Sequence, residues 1–202
     1  MHLDTVRTPR VFIDIDRVHR NIARMAALAA SAGVRLRPHT KTHKSPVIAR
    51  WQIEAGAVGV CCAKLGEAEV FAEAGIEDIR VPYPVHFSNA DRVLDLRNRT
   101  RVSIIVDDLD VARGWSRAMT EARETLDVLV KIDVGFHRCG MDPQNAGTLD
   151  AVTEIASLPG IAFKGLLSYA GQSASADSVE GLRAIAMPVS YTHLTLPTIL
   201  RV

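Results

Sequence analysis

Residues 10–39, RVFIDIDRVHRNIARMAALAASAGVRLRPH, read as a strand, a helix and a second strand in succession. RVFIDI is short, apolar and rich in β-branched side chains, the composition of a buried strand. Asp16 is a candidate N-cap, Val18, Ile22, Met25 and Leu28 recur at helical spacing on one face, and Gly33 closes the helix. VRLRPH, at 34–39, then returns to strand composition. The same alternation continues along the chain. Apolar runs at AVGVCC (57–62), DIRVPY (78–83), RVSIIVD (101–107), LDVLVKIDV (126–134) and AFKGLLSY (162–169) are separated by helical patterns. Ser45 followed by Pro46 reads as the N-cap and first position of one helix. Ser88 with Asp91 opens another over Val93, Leu94 and Leu96, and SLPG at 157–160 closes the helix before the last run. Runs such as VSIIV and LDVLV are apolar throughout, which predicts burial on both faces, as in parallel sheets covered by helices. No GxGxxG follows the first run, so a dinucleotide-binding doubly wound sheet has no support. The expected fold is an α/β, TIM-type (β/α)8 barrel that is incomplete, with about seven strands, since such barrels commonly need about 250 residues.

Immediately after the second run stands RPHTKTHK (37–44), with Lys41 flanked by His39 and His43. If the strand reaches this far, these three side chains share one face and Thr40 and Thr42 point the other way. A lysine on the inner face of a parallel sheet is desolvated, and its depressed pKa makes a nucleophilic amine. The plain alternative is a solvated strand-to-helix loop.

Composition narrows the partners. With 48% hydrophobic and 23% charged residues and a formal net charge of +1, neither a basic nucleic-acid surface nor an acidic tail is indicated. MHLDTVRTPR lacks the apolar core of a signal peptide and no run approaches a membrane span, so a cytoplasmic protein with neither nucleic-acid nor membrane partners is expected. Three cysteines make no complete disulfide framework; Cys61 and Cys62 read as small core residues, and Cys139 as a small side chain beside a turn glycine. No CxxC or HxxxH zinc spacing occurs.

RPHTKTHK, with TPRVFIDIDRVHRNI (8–22), GAVGVCCAKLGEAEVFAEAGIEDI (56–79), VKIDVGFHRCGMDP (130–143) and FKGLLSYAGQ (163–172), resembles in order the fold type III pyridoxal-phosphate enzymes of the D-threonine aldolase and D-serine dehydratase group, whose barrel is of the alanine racemase N-terminal kind. The resemblance covers roughly residues 8–175. It implies that Lys41 carries pyridoxal 5'-phosphate as an imine, that Arg138 hydrogen-bonds the cofactor near its phenolic oxygen, and that Tyr169 faces cofactor or substrate. His39 or His43 would stack against the cofactor or position Lys41. Read from position alone, Arg138 is a surface arginine of a βα loop and Tyr169 a barrel-core tyrosine. Gly135 and Gly140 read as turn residues, Glu67 as a first-turn acid that complements a helix dipole, and Lys64 as a pocket or loop lysine. Gln172 stands where the resemblance leads one to expect histidine.

The resemblance further implies a lyase on β-hydroxy D-amino acids. Retro-aldol cleavage of the D-threonine aldolase kind, to glycine and an aldehyde, is the leading activity. D-serine dehydratase chemistry, amino-acid racemisation or a non-catalytic cofactor-carrying barrel are the alternatives. It also implies a phosphate loop, a divalent metal held only in a C-terminal β domain that this chain lacks, and a homodimer. Finally PVSYTHLTLPTILRV, residues 188–202, breaks the pattern and resembles a translated sequencing adapter. The expected organisation is therefore an incomplete barrel over 1–187 and a non-native tail over 188–202.

Overall fold

The most apolar runs form the middle of the sheet. In the computed structural model, which describes residues 7–199 and side chains as far as residue 192, five parallel strands lie in the order β1 (Val60–Cys61), β2 (Asp78–Pro84), β3 (Arg101–Val106), β4 (Leu126–Ile132) and β5 (Ile161–Ser168). The helices α1 (Ile15–Ser31), α2 (Pro46–Glu54), α3 (Leu65–Glu73), α4 (Ala90–Arg97), α5 (Leu109–Glu121), α6 (Thr148–Ser157) and α7 (Val179–Ile199) alternate with them or flank them.

Period-two alternation gives the sheet two faces of different character. Ile79 and Val81, Val102, Ile104 and Val106, and Leu126, Val128, Val130 and Ile132 are sealed against Ala68, Phe71, Leu96, Trp115, Met119 and Ile155 of the helices. Each such aliphatic contributes about 1.5–3 kcal/mol by leaving water, so this layer is where the fold is held. Trp115 fills it while its indole Nε1 donates to the Val85 carbonyl at 2.7 Å, so no polar atom of that ring is left orphaned. The opposite face carries Arg80, Ser103 and Asp127 in register, with Lys131 further along β4. Arg37 grips Asp78 with two hydrogen bonds, at 2.7 and 3.0 Å.

Two of the seven expected strands are absent among the described residues. RVFIDI has no partner, and Val11, Phe12 and Ile13 are 93%, 53% and 53% exposed. A run of strand composition becomes a strand only where a neighbour accepts its backbone groups. Segment 34–39 comes closer. Val58 and Cys61 donate to the Leu36 and Pro38 carbonyls at 2.9 and 2.8 Å, and His39 bridges Cys61. Pro38, with no N–H, limits it to these few contacts.

The helix ends carry two corrections. Asp14, not Asp16, caps α1, accepting from the Arg17 N–H at 2.9 Å, while Asp16 sits in the first turn. Ser88 lies in a 3-10 turn, Phe87–Asn89, that His86 caps, and α4 starts at Ala90 after it. Ser45 and Pro46 start α2 as expected, and Ser157 ends α6.

Candidate active site

Parallel order gathers the carboxyl ends of all the strands at one edge, and the connecting loops there carry the candidate residues. Lys41 is not on an extended strand. Residues Thr40–Thr42 form a 3-10 turn in which the Lys41 N–H donates to His39 Nδ1 at 3.2 Å and the His43 and Lys44 N–H groups donate to the Thr40 carbonyl. Thr40 is fully buried and its hydroxyl donates to the Cys61 carbonyl at 3.0 Å. His43 turns to the next helix, where its Nδ1 accepts from the Ser45 N–H at 3.0 Å. These local bonds compete with the sheet ladder and win, so His39, Lys41 and His43 do not share one strand face. The turn instead fixes the backbone of Lys41 and leaves its side chain exposed.

The histidine electrostatics follow from this packing. Burial, reinforced by the Lys41 ammonium and only partly opposed by Glu67, pushes His39 below its ordinary value of 6.5. Burial also lowers His43. Both rings are thus neutral acceptors near pH 7. Glu67 closes the next turn: its Oε2 accepts from the Ala63 N–H at 2.8 Å and its Oε1 pairs with Lys44 at 3.2 Å. Burial would raise its pKa, but these bonds hold it below the usual carboxylate value. It acts at the first turn of α3, as the sequence suggested. Lys64, exposed, is the residue before that helix. Burial pushes Cys62 up to about 11, so its thiol is a core group.

Arg138 lies beyond β4 in a loop whose backbone is tightly specified. Asp133 accepts from the Gly135 and His137 N–H groups at 3.0 and 3.1 Å and pairs with His137 Nδ1 at 2.9 Å. A Cβ on Gly140, at φ +120°, would stand 2.6 Å from the Asp133 nitrogen, so the chain can cross its own strand end only at glycine. Asp107 receives the Gly140 N–H at 3.0 Å. Both nearby acids are thereby committed to backbone or histidine. The Arg138 guanidinium instead stands over three rings: Tyr169 at 4.9 Å, Tyr83 at 5.2 Å and Phe136 at 5.2 Å. Tyr169, just past β5, meets Phe136 edge-on with centroids 5.3 Å apart. Gln172 ties the two loops together, its Nε2 donating to the Val134 carbonyl at 2.7 Å. The structure thus unites Arg138 and Tyr169 in one cluster, with His39 and Lys41 in another on the same edge.

Two members of the arrangement were not singled out from sequence. Tyr83 is one; its signal was an aromatic at the carboxyl end of a strand. Lys131 is the other, 3% exposed, its Nζ 5.7 Å from the Tyr169 centroid and its pKa lowered by burial. A lysine inside the apolar run LDVLVKI was its signal. Among the described residues no helix is long and apolar enough to cross a membrane.

The profile of the family described as "Alanine racemase, N-terminal domain" matches residues 13–187. The chain is 37% identical over 183 residues to a D-threo-3-hydroxyaspartate dehydratase of Delftia sp. (strain HT23), covering 90% of this chain and 48% of that protein. It is 38% identical over 170 residues to a D-threonine aldolase of Arthrobacter sp, covering 84% and 45%. The crystal structure of D-threonine aldolase from Filomicrobium marinum superposes with a TM-score of 0.91 at 37% identity, over 98% of this chain and 54% of that one. The chain therefore spans about half the length of the curated relatives it matches. Its sheet and helices are a five-strand part of the barrel-type domain that these relatives share, and the chain belongs to the alanine racemase N-terminal domain family, in its fold type III pyridoxal-phosphate group.

Proposed function

We propose that the full-length protein is a pyridoxal-phosphate-dependent lyase of β-hydroxy D-amino acids, cleaving them by the retro-aldol route. The observation that carries this reading is the presence, on one carboxyl edge of the sheet, of an exposed primary amine, Lys41, and of an arginine, Arg138, that no carboxylate pairs with among the described residues. The donor set fits the cofactor. Lys41 would hold it covalently, Arg138 would donate to an oxygen on its ring, Tyr169 would border it, and His39 would keep the Lys41 turn in shape. When bound, pyridoxal phosphate supplies an electron sink for the pair released at Cα.

The chain's own groups then have defined tasks. Lys41 would hold the cofactor and would supply the primary amine nearest the reacting centre, a group able to take a proton. Arg138 would present planar N–H donors to an oxygen of the cofactor. Neutral His39 holds the Lys41 N–H through its Nδ1 and so keeps the lysine's backbone from drifting. In the retro-aldol reaction the β-hydroxyl loses its proton as the Cα–Cβ bond breaks, releasing an aldehyde, and Cα then takes up a proton to give glycine. Dehydration, in which the α-proton and the β-hydroxyl leave as water and another water then hydrolyses the resulting imine to a keto acid and ammonia, is the second reading. The 37% identity to a hydroxyaspartate dehydratase favours it. A divalent ion acting on that hydroxyl would have its ligands in the C-terminal half of the relatives, beyond this chain. We also hold residues 188–202 apart from the domain as a non-native tail. The family match ends at residue 187, and α7 continues with Pro188 in its interior, where proline is costly. A cytoplasmic location and a homodimer remain part of this reading.

The test is made on full-length protein loaded with pyridoxal phosphate. Wild type should show the visible absorbance of covalently held cofactor, and Lys41→Ala should lose it; persistence of that absorbance sinks the assignment. With D-threonine, release of acetaldehyde and glycine supports the aldolase, and release of a keto acid and ammonia replaces it with the dehydratase.

A further inference from the structure

Arg138 is held in an unusual way for a charged group in a polar loop. Among the described residues no carboxylate pairs with it, because Asp133 is engaged by Gly135 and His137 and Asp107 by Gly140. Arg138 is exposed, and its guanidinium is flanked by rings from three separate places in the sequence: Tyr83 at the end of β2, Phe136 in its own loop, and Tyr169 after β5. The difference matters chemically. A bidentate carboxylate would consume two of the five N–H donors and cancel the charge. Ring faces orient the plane through the quadrupole and leave both charge and donors available.

The packing indicates that the arrangement is built rather than incidental. A Cβ at Gly171 would lie 2.5 Å from Tyr169 Cε1 and 2.9 Å from Phe136 Cδ2, so the glycine leaves the space in which the two rings meet. Gln172, the next residue, pins the same loop to the Val134 carbonyl. Tyr83 reaches the guanidinium from β2, on the far side of β3 from β4, and so ties the Arg138 loop to a strand it does not adjoin.

We propose that Tyr83 and Phe136 are positioning residues. With Tyr169 they fix the plane of the Arg138 guanidinium at the carboxyl edge and leave its N–H donors for an oxygen on the cofactor. The inference rests on the functional reading above, and the test separates the two. Full-length protein is titrated with pyridoxal phosphate and the dissociation constant read from absorbance and fluorescence, without turnover. Tyr83→Leu and Phe136→Leu should each weaken binding about fivefold, the worth of one exposed cation–π contact. Tyr83→Phe, which keeps the ring, should restore binding. The deciding measurement is a double-mutant cycle with Arg138→Ala: Tyr83→Leu should cost nothing further once the guanidinium is gone. Additive losses, a Tyr83→Phe as weak as Tyr83→Leu, or wild-type affinity in both leucine variants each overturn the proposal while the functional reading stands. If wild type binds no cofactor through Lys41, that reading falls and this one with it. Both tyrosine and phenylalanine are more than a third exposed, so the leucine variants should fold, and a thermal melt checks that they do.

Discussion

His39 and His43 each spend the Nδ1 lone pair on a backbone N–H, of Lys41 and Ser45 respectively, so the turn that presents Lys41 depends on two neutral imidazoles. Their folded pKa values lie below 6.5, mainly through burial. As pH falls below 6.5 the unfolded chain takes up protons that the folded one refuses, so stability falls with pH in that window. The depressed carboxylates act lower. Glu67, Glu69 and Asp133 contribute stability above their ordinary values of 4.5, 4.5 and 3.8 that is lost as pH drops through their folded values. The region from pH 6.5 down to about 5 therefore belongs to the histidines. Urea midpoints should decline across it, and the double variant His39→Gln/His43→Gln should flatten the decline; an unchanged slope rejects the account. This is also where sequence reading reached its limit. The HTKTH spacing located the residues, and the strand-face argument gave them the wrong geometry. Whether a histidine side chain accepts from its own backbone or joins a sheet is decided by which neighbour offers a donor, here Lys41 and Ser45. Tyr83 was missed for a related reason: it meets Arg138 across 55 positions of sequence, and no local pattern encodes such a contact.

At the scale of elements, the ends of α1, α2, α3 and α5 share one device, with a different residue at the last. Gly33, Gly56 and Gly75 follow the C-caps of α1, α2 and α3 with φ of +65°, +105° and +82°. At the same place after α5 stands Arg123, at φ +57°, its N–H bonded to the Thr120 carbonyl at 3.0 Å while Glu124 N–H reaches that of Met119 at 2.8 Å. That is the left-handed C-terminal motif in which glycine carries no Cβ penalty. Arg123 is exposed, and Arg123→Gly should raise stability by about 0.5–1 kcal/mol after the added entropy of the unfolded chain. A lower urea midpoint would refute it. Gly33, with Ser45–Pro46 and SLPG, made those helix ends readable, and β2, β3, β4 and β5 fall within about two residues of their apolar runs. RVFIDI, as apolar as those runs, and VRLRPH, with two arginines and a proline, did not become strands. Periodicity reports what a segment can bury, whereas a strand also needs a partner, which lies elsewhere in the chain.

For the whole molecule, charge collects on the sheet face that also carries the buried Ile105 and Leu129. Arg37, Arg80, Arg101 and Lys164 stand there against Asp78 and Asp127. Asp78 is the junction. It accepts two hydrogen bonds from Arg37 and lies 3.6 Å from Arg101, so one carboxylate on β2 joins the 34–39 segment to β3. Its side chain and that of Arg37 are 18% and 15% exposed, enough water to soften the penalty of a broken pair but not to abolish it. Removing this carboxylate leaves three arginines facing one another with no acid between them, a larger loss than a lone contact would give. Asp78→Asn should destabilise the full-length protein by about 2 kcal/mol, and by less in 0.5 M salt, where arginine repulsion is screened. The comparison is Asp95→Asn, which breaks the exposed pair with Arg99 on one helical surface and should cost less than about 0.5 kcal/mol. Equal effects from the two substitutions, or an Asp78→Asn loss indifferent to salt, would mean that the inner face is held by shape and not by charge.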